Sequence, residues 1–192
     1  MANQPNILDV DWSAIPAPAD DGGAAHLPGS AIPPVALAAT GGGDVALAAL
    51  TGRTVVFAYP RTGEPGKIAP VDDWDMIPGA RGCTPQACSF RDLFAELKAA
   101  GADAVFGLST QSTAYQSEMV ERLHLPFPVL SDEALELTRA LNLPTMQVAG
   151  MTLLKRMALI IDDGRIIHVF YPVFPPDRNA GDVLEWLRAN PR

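Results

Sequence analysis

The sequence predicts an α/β fold in which a mixed central β-sheet carries helices on both faces, and three observations predict it. Apolar runs of strand length alternate with segments of helical period through the middle of the chain. Two glycine-centred turns, at Gly41 to Gly43 and at Asp163-Gly164, each join a pair of β-rich runs. The 192 residues, 48% of them hydrophobic, suffice for one domain with a full core and are short for two.

Residues 1–26, "MANQPNILDVDWSAIPAPADDGGAAH", are rich in Pro, Ala, Asp and Gly without a sustained period, so they read as an N-terminal arm that Ile7 and Trp12 let dock. The folded domain is then 27–192. In "VALAATGGGDVALAAL", Val35 and Leu37 mirror Val45 and Leu47 about the glycines, which predicts an N-terminal β-hairpin. "TVVFAY", Thr54 to Tyr59, is nearly continuous in apolar β-formers, the pattern of a central strand buried on both faces. The Pro- and Gly-dense stretch that follows Pro60 exceeds an ordinary connection and reads as an inserted loop, 61–82, with a task of its own. Beyond it Phe90, Leu93, Phe94 and Leu97 fall at i, i+3, i+4 and i+7, predicting one helix from Pro85 that Gly101 stops.

"DAVFGLS" reads as a second buried strand, and Tyr115, Met119 and Leu123 as one helical face. "FPVLS" is a short strand, and "DEALELTRALNL" a helix capped by Ser131 or Asp132. "LLKRMALIIDDGRIIHVFY" gives two antiparallel strands across Asp163-Gly164. Ala180, Val183, Leu184 and Leu187 make the stripe of a final helix.

Composition narrows the function. Fourteen basic against 22 acidic residues give a net charge of -8, with the cations scattered, so no nucleic-acid footprint is expected. No stretch approaches the roughly 20 apolar residues of a membrane span, and no charged n-region precedes an apolar run at the start, so a soluble cytoplasmic protein is expected, with no membrane partner. His26, His124 and His168 stand apart from the two cysteines, so neither a metal nor another cofactor is implied.

The two cysteines lie in "GCTPQACSFRD", Gly82 to Asp92. Thr84 reads as an N-cap and Pro85 as the first helical residue, which puts Cys83 just ahead of the helix. There the unpaired N–H groups and the positive end of the dipole stabilise a negative sulfur, with Arg81 adding to the field. Cys88, five residues on, is rotated about 140° and raised about 7.5 Å, beyond the ~7 Å Cα reach of a disulfide, so bridging requires the first turns to unwind. It also lies about 160° from Phe90, off the predicted core stripe. Spacing alone leaves a redox couple and two neighbouring structural cysteines equally open.

The same segment resembles the active-site segment of the peroxiredoxins, in particular the Q-type or bacterioferritin-comigratory branch, where Cys-Thr-x-x-Ala-Cys followed by Arg-Asp opens the first long helix. "LPFPVLSDE" and "KRMALIIDDGRIIHVF" resemble further parts of that branch, so the similarity runs from about Leu27 to Leu187. The resemblance implies a thioredoxin-like fold and a peroxidase without cofactor. It also implies a peroxidatic Cys83, a resolving Cys88 in the same helix, and an active-site Arg156. Arg156 interrupts an otherwise apolar run, and in a central strand its charge needs an anionic partner; in a strand starting at Met157 it would be ordinary and exposed. The family's Pro and Thr, seven and three residues before the peroxidatic Cys, are here Met76 and Ala80. "YPRTG" does follow the central strand, so an insertion separates Pro60 from Cys83, with Thr62 the nearest candidate hydroxyl and the backbone of Gly79 to Gly82 its substitute.

The expected substrate is hydrogen peroxide or an alkyl hydroperoxide, and the expected reductant thioredoxin or a similar dithiol, in a monomer or homodimer. Two readings compete. One is a thiol-disulfide oxidoreductase or redox sensor with weak peroxidase activity; the other is a non-catalytic binding module that uses the arm and the long loop.

Overall fold

A computed structural model describes residues 10–67 and 69–192; the docking expected of Ile7 lies outside them. The strands are β1 (Ala36–Ala39), β2 (Asp44–Ala46), β3 (Arg53–Ala58), β4 (Ala104–Ser109), β5 (Val129–Ser131), β6 (Thr145–Val148), β7 (Met151–Leu154), β8 (Met157–Asp162) and β9 (Arg165–Phe170). The helices are α1 (Cys83–Asp92), α2 (Phe94–Ala99), α3 (Thr113–Leu123), α4 (Glu136–Leu141) and α5 (Asn179–Ala189).

Seven strands form one sheet in the order β2-β1-β5-β4-β3-β8-β9. β3, β4 and β5 run parallel, whereas β8, β9, β1 and β2 join antiparallel, so the sheet is mixed. β3 is central because both its faces are apolar: Val55, Val56, Phe57 and Tyr59 are completely buried. Alternation sends Val55 and Phe57 into one core with Phe90, Met119 and Leu184, and Val56 and Ala58 into the other with Leu137, Leu159 and Ile161. Each such large side chain contributes on the order of 2 kcal/mol by leaving water. Asp163 and Gly164, at φ +46° and +76°, turn β8 into β9 as their sequence requires.

Three expectations are corrected here. The single helix after Pro85 is two, α1 and α2, because Leu93 leaves helical geometry at φ -100°, ψ 11°. The amides of Leu93 and Leu97 still bond the carbonyls of Ser89 and Leu93, at 3.1 and 2.9 Å, so the apolar stripe survives the break. The helix also starts earlier than Thr84 and Pro85 suggested. Gly82 is the N-cap residue, its carbonyl already accepts from the Gln86 amide at 3.0 Å, and Cys83 is the first helical residue. α4 starts later, at Glu136, after Leu135 in the left-handed region (φ 58°). Asp132 nevertheless satisfies its first turn, accepting from the amides of Leu137 and Thr138 at 3.1 and 2.7 Å.

The hairpin of β6 and β7 pairs in a sheet of its own, which corrects a further expectation: Leu153 and Leu154, read from sequence as the start of the strand that is here β8, end β7 instead, and β6 has no counterpart in the sequence reading. Its strands are four residues each, and half of those eight residues are half-buried, so they are too short and too irregular to show a period. From residue 10 onward the arm lies along the body: Trp12–Ala14 form a 3-10 turn, Ala24 is in the core, and Asp21 accepts from Lys155 at 2.5 Å and from Tyr171 at 2.6 Å.

Candidate active site

Everything at the mouth of α1 depends on how the chain enters it. Gly82 turns at φ +104°, and a Cβ there would lie 2.6 Å from Pro176 and 2.8 Å from the Trp12 ring. Only glycine tolerates both the angle and the crowding. Trp12 is itself fixed, donating from Nε1 to Asp177 at 2.9 Å and meeting Phe174 edge to face at 6.0 Å between centroids. Deeper in, Phe90 stacks on Phe57 at 4.2 Å, which pins α1 to the central strand.

Cys83 therefore sits in the first turn, where the amides of Cys83 and Thr84 have no partner inside the helix and Pro85 has no N–H to leave bare. Its sulfur is almost buried, 3.6 Å from the Ala80 carbonyl and 3.3 Å from Nη2 of Arg156. Arg156 is 2% exposed. Nη2 also faces the carbonyls of Gly79, Ala80 and Arg81 at 3.2, 3.2 and 3.0 Å, while Nη1 donates to Oε1 of Gln86. Gln86 in turn donates to Oδ1 of Asn179 at 2.9 Å, the residue that opens α5. Gln86, backed by Asn179, and three main-chain carbonyls thus hold the guanidinium beside the sulfur, and its Nε alone finds no acceptor among the described residues.

The sequence alternatives for Arg156 were a buried strand residue or an exposed one before a strand at Met157. The strand does begin at Met157, and Arg156 is buried all the same. It lies in the link from β7 to β8, and the loop at Gly79 to Arg81 wraps it with carbonyls. Those carbonyls also answer what stands at the missing hydroxyl of position 80: acceptors that hold Arg156, where N–H donors to the thiol had been the alternative.

Thr62 comes to the same place from the other side. It is 2% exposed, and a two-way clasp with Gln111 fixes it: its amide and hydroxyl donate to Oε1 at 2.9 and 3.2 Å, and Nε2 returns to its carbonyl at 3.1 Å. Thr62 and Cys83 line one cleft of about 150 Å³ with Val10, Arg61, Trp74 and Gly82. Pro60 is buried at the end of β3 and is not part of that wall. Tyr59 is fully buried; desolvation pushes its phenol well above the ordinary value.

Cys88 departs from expectation. Far from lying off the core, it is 4% exposed and belongs to the same apolar cluster as Phe57 and Phe90. The first two turns of α1 are covered all round, since the 3-10 turn Pro176–Arg178 and α5 pack on them too. Burial pushes the Cys88 thiol up, partly offset by Arg91. Both cysteines are free thiols. Gln86, Asn179 and Gln111 were not singled out from sequence. Gln86 carried a signal, being one turn along α1 from Cys83; Asn179 and Gln111 reach the site only through the fold.

The Redoxin family matches residues 27–184. Chloroplastic peroxiredoxin Q of Oryza sativa subsp. japonica is 32% identical over 163 residues, 84% of this chain, which spans 66% of the rice protein's length. Chloroplastic peroxiredoxin Q of Sedum lineare is 30% identical over 163 residues, covering 84% of this chain and 77% of that protein. Among solved structures, peroxidoxin BcpB of Mycobacterium tuberculosis superposes with a TM-score of 0.67 at 26% identity, over 85% of this chain and 98% of that one. The matched region contains both cysteines, Thr62 and Arg156, and the sheet and helices are the thioredoxin-like fold those relatives share, so the chain belongs to the Redoxin family and within it to the Q-type peroxiredoxins.

Proposed function

We propose that this protein is a thiol-dependent peroxidase that reduces hydrogen peroxide or alkyl hydroperoxides with Cys83 and is reset through Cys88. The observation that carries the reading is the contact between Arg156 Nη2 and the sulfur of Cys83 at 3.3 Å, Cys83 being one of the residues that line a cleft of about 150 Å³. The Cys83 thiolate attacks the terminal oxygen of the peroxide: an S–O bond forms, the O–O bond breaks, and the leaving oxygen departs with a proton as water or alcohol. Arg156 and the bare amides of the first turn stabilise the charge that moves onto that oxygen, and the rigid carbonyl cradle keeps the guanidinium from reorganising. Thr62, whose own hydroxyl proton goes to Gln111, accepts from the hydroperoxide O–H. The Cys88 thiol then displaces hydroxide from the sulfenic acid as water, forming a disulfide, and an external dithiol such as thioredoxin supplies two electrons and two protons to restore both thiols. Such a cycle suits a reducing compartment.

Ala80 at the position of the family's Thr is the observation that favours the second reading, a redox sensor with weak peroxidase activity. Stopped-flow rates with hydrogen peroxide and with a model disulfide separate the two. Intact mass after one equivalent of peroxide tests the cycle: wild type loses two protons, Cys88→Ser gains oxygen, and Cys83→Ser does not change. Oxygen on the Cys83→Ser protein would reverse the roles of the two thiols.

A further inference from the structure

Arg156 also stands in the wall of a second cavity, of about 120 Å³, which shares no lining residue with the cleft at Cys83. The arm, the 61–82 loop, β6, the link from β7 to β8 and the segment after β9 all contribute to it. Pro18, Pro78, Met146 and Pro172 make much of its surface hydrocarbon, and Lys155 and Arg156 are the charged residues of its wall. Both Nη atoms of Arg156 already have partners, whereas Nε, just as buried, has none among the described residues. A bare N–H on a buried cation is costly, and an anionic oxygen removes that cost. Lys155 spends one of its three N–H groups on Asp21 at 2.5 Å, and the other two find no partner among the described residues. Neither Asp20 nor Asp21 lines the cavity, and Asp21 is itself satisfied by Lys155 and by the Tyr171 hydroxyl at 2.6 Å. Two adjacent cations with donors to spare, set in apolar walls, are complementary to a carboxylate on a short hydrocarbon stub. The space holds a handful of non-hydrogen atoms and excludes a long chain or a nucleotide.

We infer that this cavity is a regulatory site for a small aliphatic monocarboxylate, whose oxygens accept from Arg156 Nε and the Lys155 ammonium while its hydrocarbon lies against Pro18, Pro78 and Met146. The same guanidinium touches the Cys83 sulfur at 3.3 Å, so two anions draw on one cation. The bound carboxylate disfavours a negative sulfur, and a negative sulfur disfavours the carboxylate by the same factor. The ligand therefore acts as a brake on Cys83. The inference needs the contact between Arg156 and the sulfur, and it stands apart from the peroxidase reading because any electrophile that attacks Cys83 feels the brake.

Alkylation of Cys83 by iodoacetamide at pH 7, followed by peptide mapping, reads the coupling with no peroxide present. Saturating butyrate slows it about five- to tenfold, with its half-effect in the millimolar range. Butyramide at the same concentration, and sodium chloride or inorganic phosphate at the same ionic strength, do not. Lys155→Gln removes a donor and Ala19→Phe, at the exposed edge of the cavity, fills it; each variant, measured against its own rate without butyrate, needs several-fold more butyrate for the same slowing. Butyrate without effect on wild type, butyramide or phosphate as effective as butyrate, or both variants answering as wild type does, overturns the inference. Hydrogen peroxide turnover is followed separately: its absence with the butyrate effect intact overturns the peroxidase reading alone.

Discussion

Arg156 reaches the sulfur of Cys83 across 73 positions of sequence, 3.3 Å from Nη2 to Sγ, from a link that belongs to no strand. The guanidinium is held by Gln86 and by three main-chain carbonyls, so its position is set before any substrate arrives. Arg156→Gln is expected to lower the second-order rate of Cys83 oxidation by about 10²- to 10³-fold, read by stopped-flow fluorescence. Arg156→Lys restores little, because an ammonium cannot bond Gln86 and the sulfur in one plane. A lysine variant with wild-type rates would remove the planar fork from the mechanism.

Asn179 acts on the same group through Gln86. Asn179→Ala leaves the Gln86 amide without its acceptor and loosens the guanidinium, so the oxidation rate falls about tenfold, while Asn179→Asp, which keeps an acceptor, retains most of it. Rates that follow thermal stability alone across both variants would reduce Asn179 to a structural role.

Gly82 and Gly101 share φ +104°, but a Cβ meets Pro176 and Trp12 at the first and nothing at the second. Gly101→Ala thus measures backbone strain alone, about 1–2 kcal/mol. Gly82→Ala adds overpacking of a further ~1–3 kcal/mol. Urea unfolding of the two variants gives the difference, and equal losses would mean that Trp12 and Pro176 yield freely.

Cys83 opens onto a cleft, and Cys88 is enclosed with its thiol pushed up by burial. Iodoacetamide at pH 7 is expected to alkylate Cys83 first, with Cys88 slower by at least about tenfold and catching up in denaturant. Peptide mapping of partly modified protein decides it, and parallel labelling of both would contradict the enclosure of Cys88.

His168 is stacked on Trp186 at 5.0 Å, and desolvation lowers its pKa. A depressed folded value means that the unfolded chain binds the proton more readily. The stability from a neutral His168 is therefore full above the ordinary histidine range and is lost as pH falls through it, about 7 to 5. The melting temperature declines over that window, and less steeply in His168→Phe.

Much of this architecture was visible in the residues. The apolar run Thr54 to Tyr59 could only be a central strand, and Asp163-Gly164 could only be a tight turn, because burial and positive φ leave no other choice. The stripe from Phe90 to Leu97 was legible, while the break at Leu93 was not, since nothing in a Leu marks it. The start of α1 was misread because Thr84 and Pro85 are good capping residues, whereas a crowded Gly82 outweighs them only through Pro176 and Trp12, which are remote in sequence. The same holds for Cys88: a period along one helix shows the face turned to the sheet and cannot show that α5 closes over the opposite side. Thr62 was found from its distance to the tyrosine-proline pair, and its clasp with Gln111 belongs to tertiary structure alone.

Cys88 fills a place among hydrocarbon side chains, and Gln86, tied to Asn179, lies between it and its partner thiol. Joining the two sulfurs must therefore empty a niche in the interior and cut the tether to the last helix, so the oxidised form is the frayed member of the pair and the reduced form the taut one.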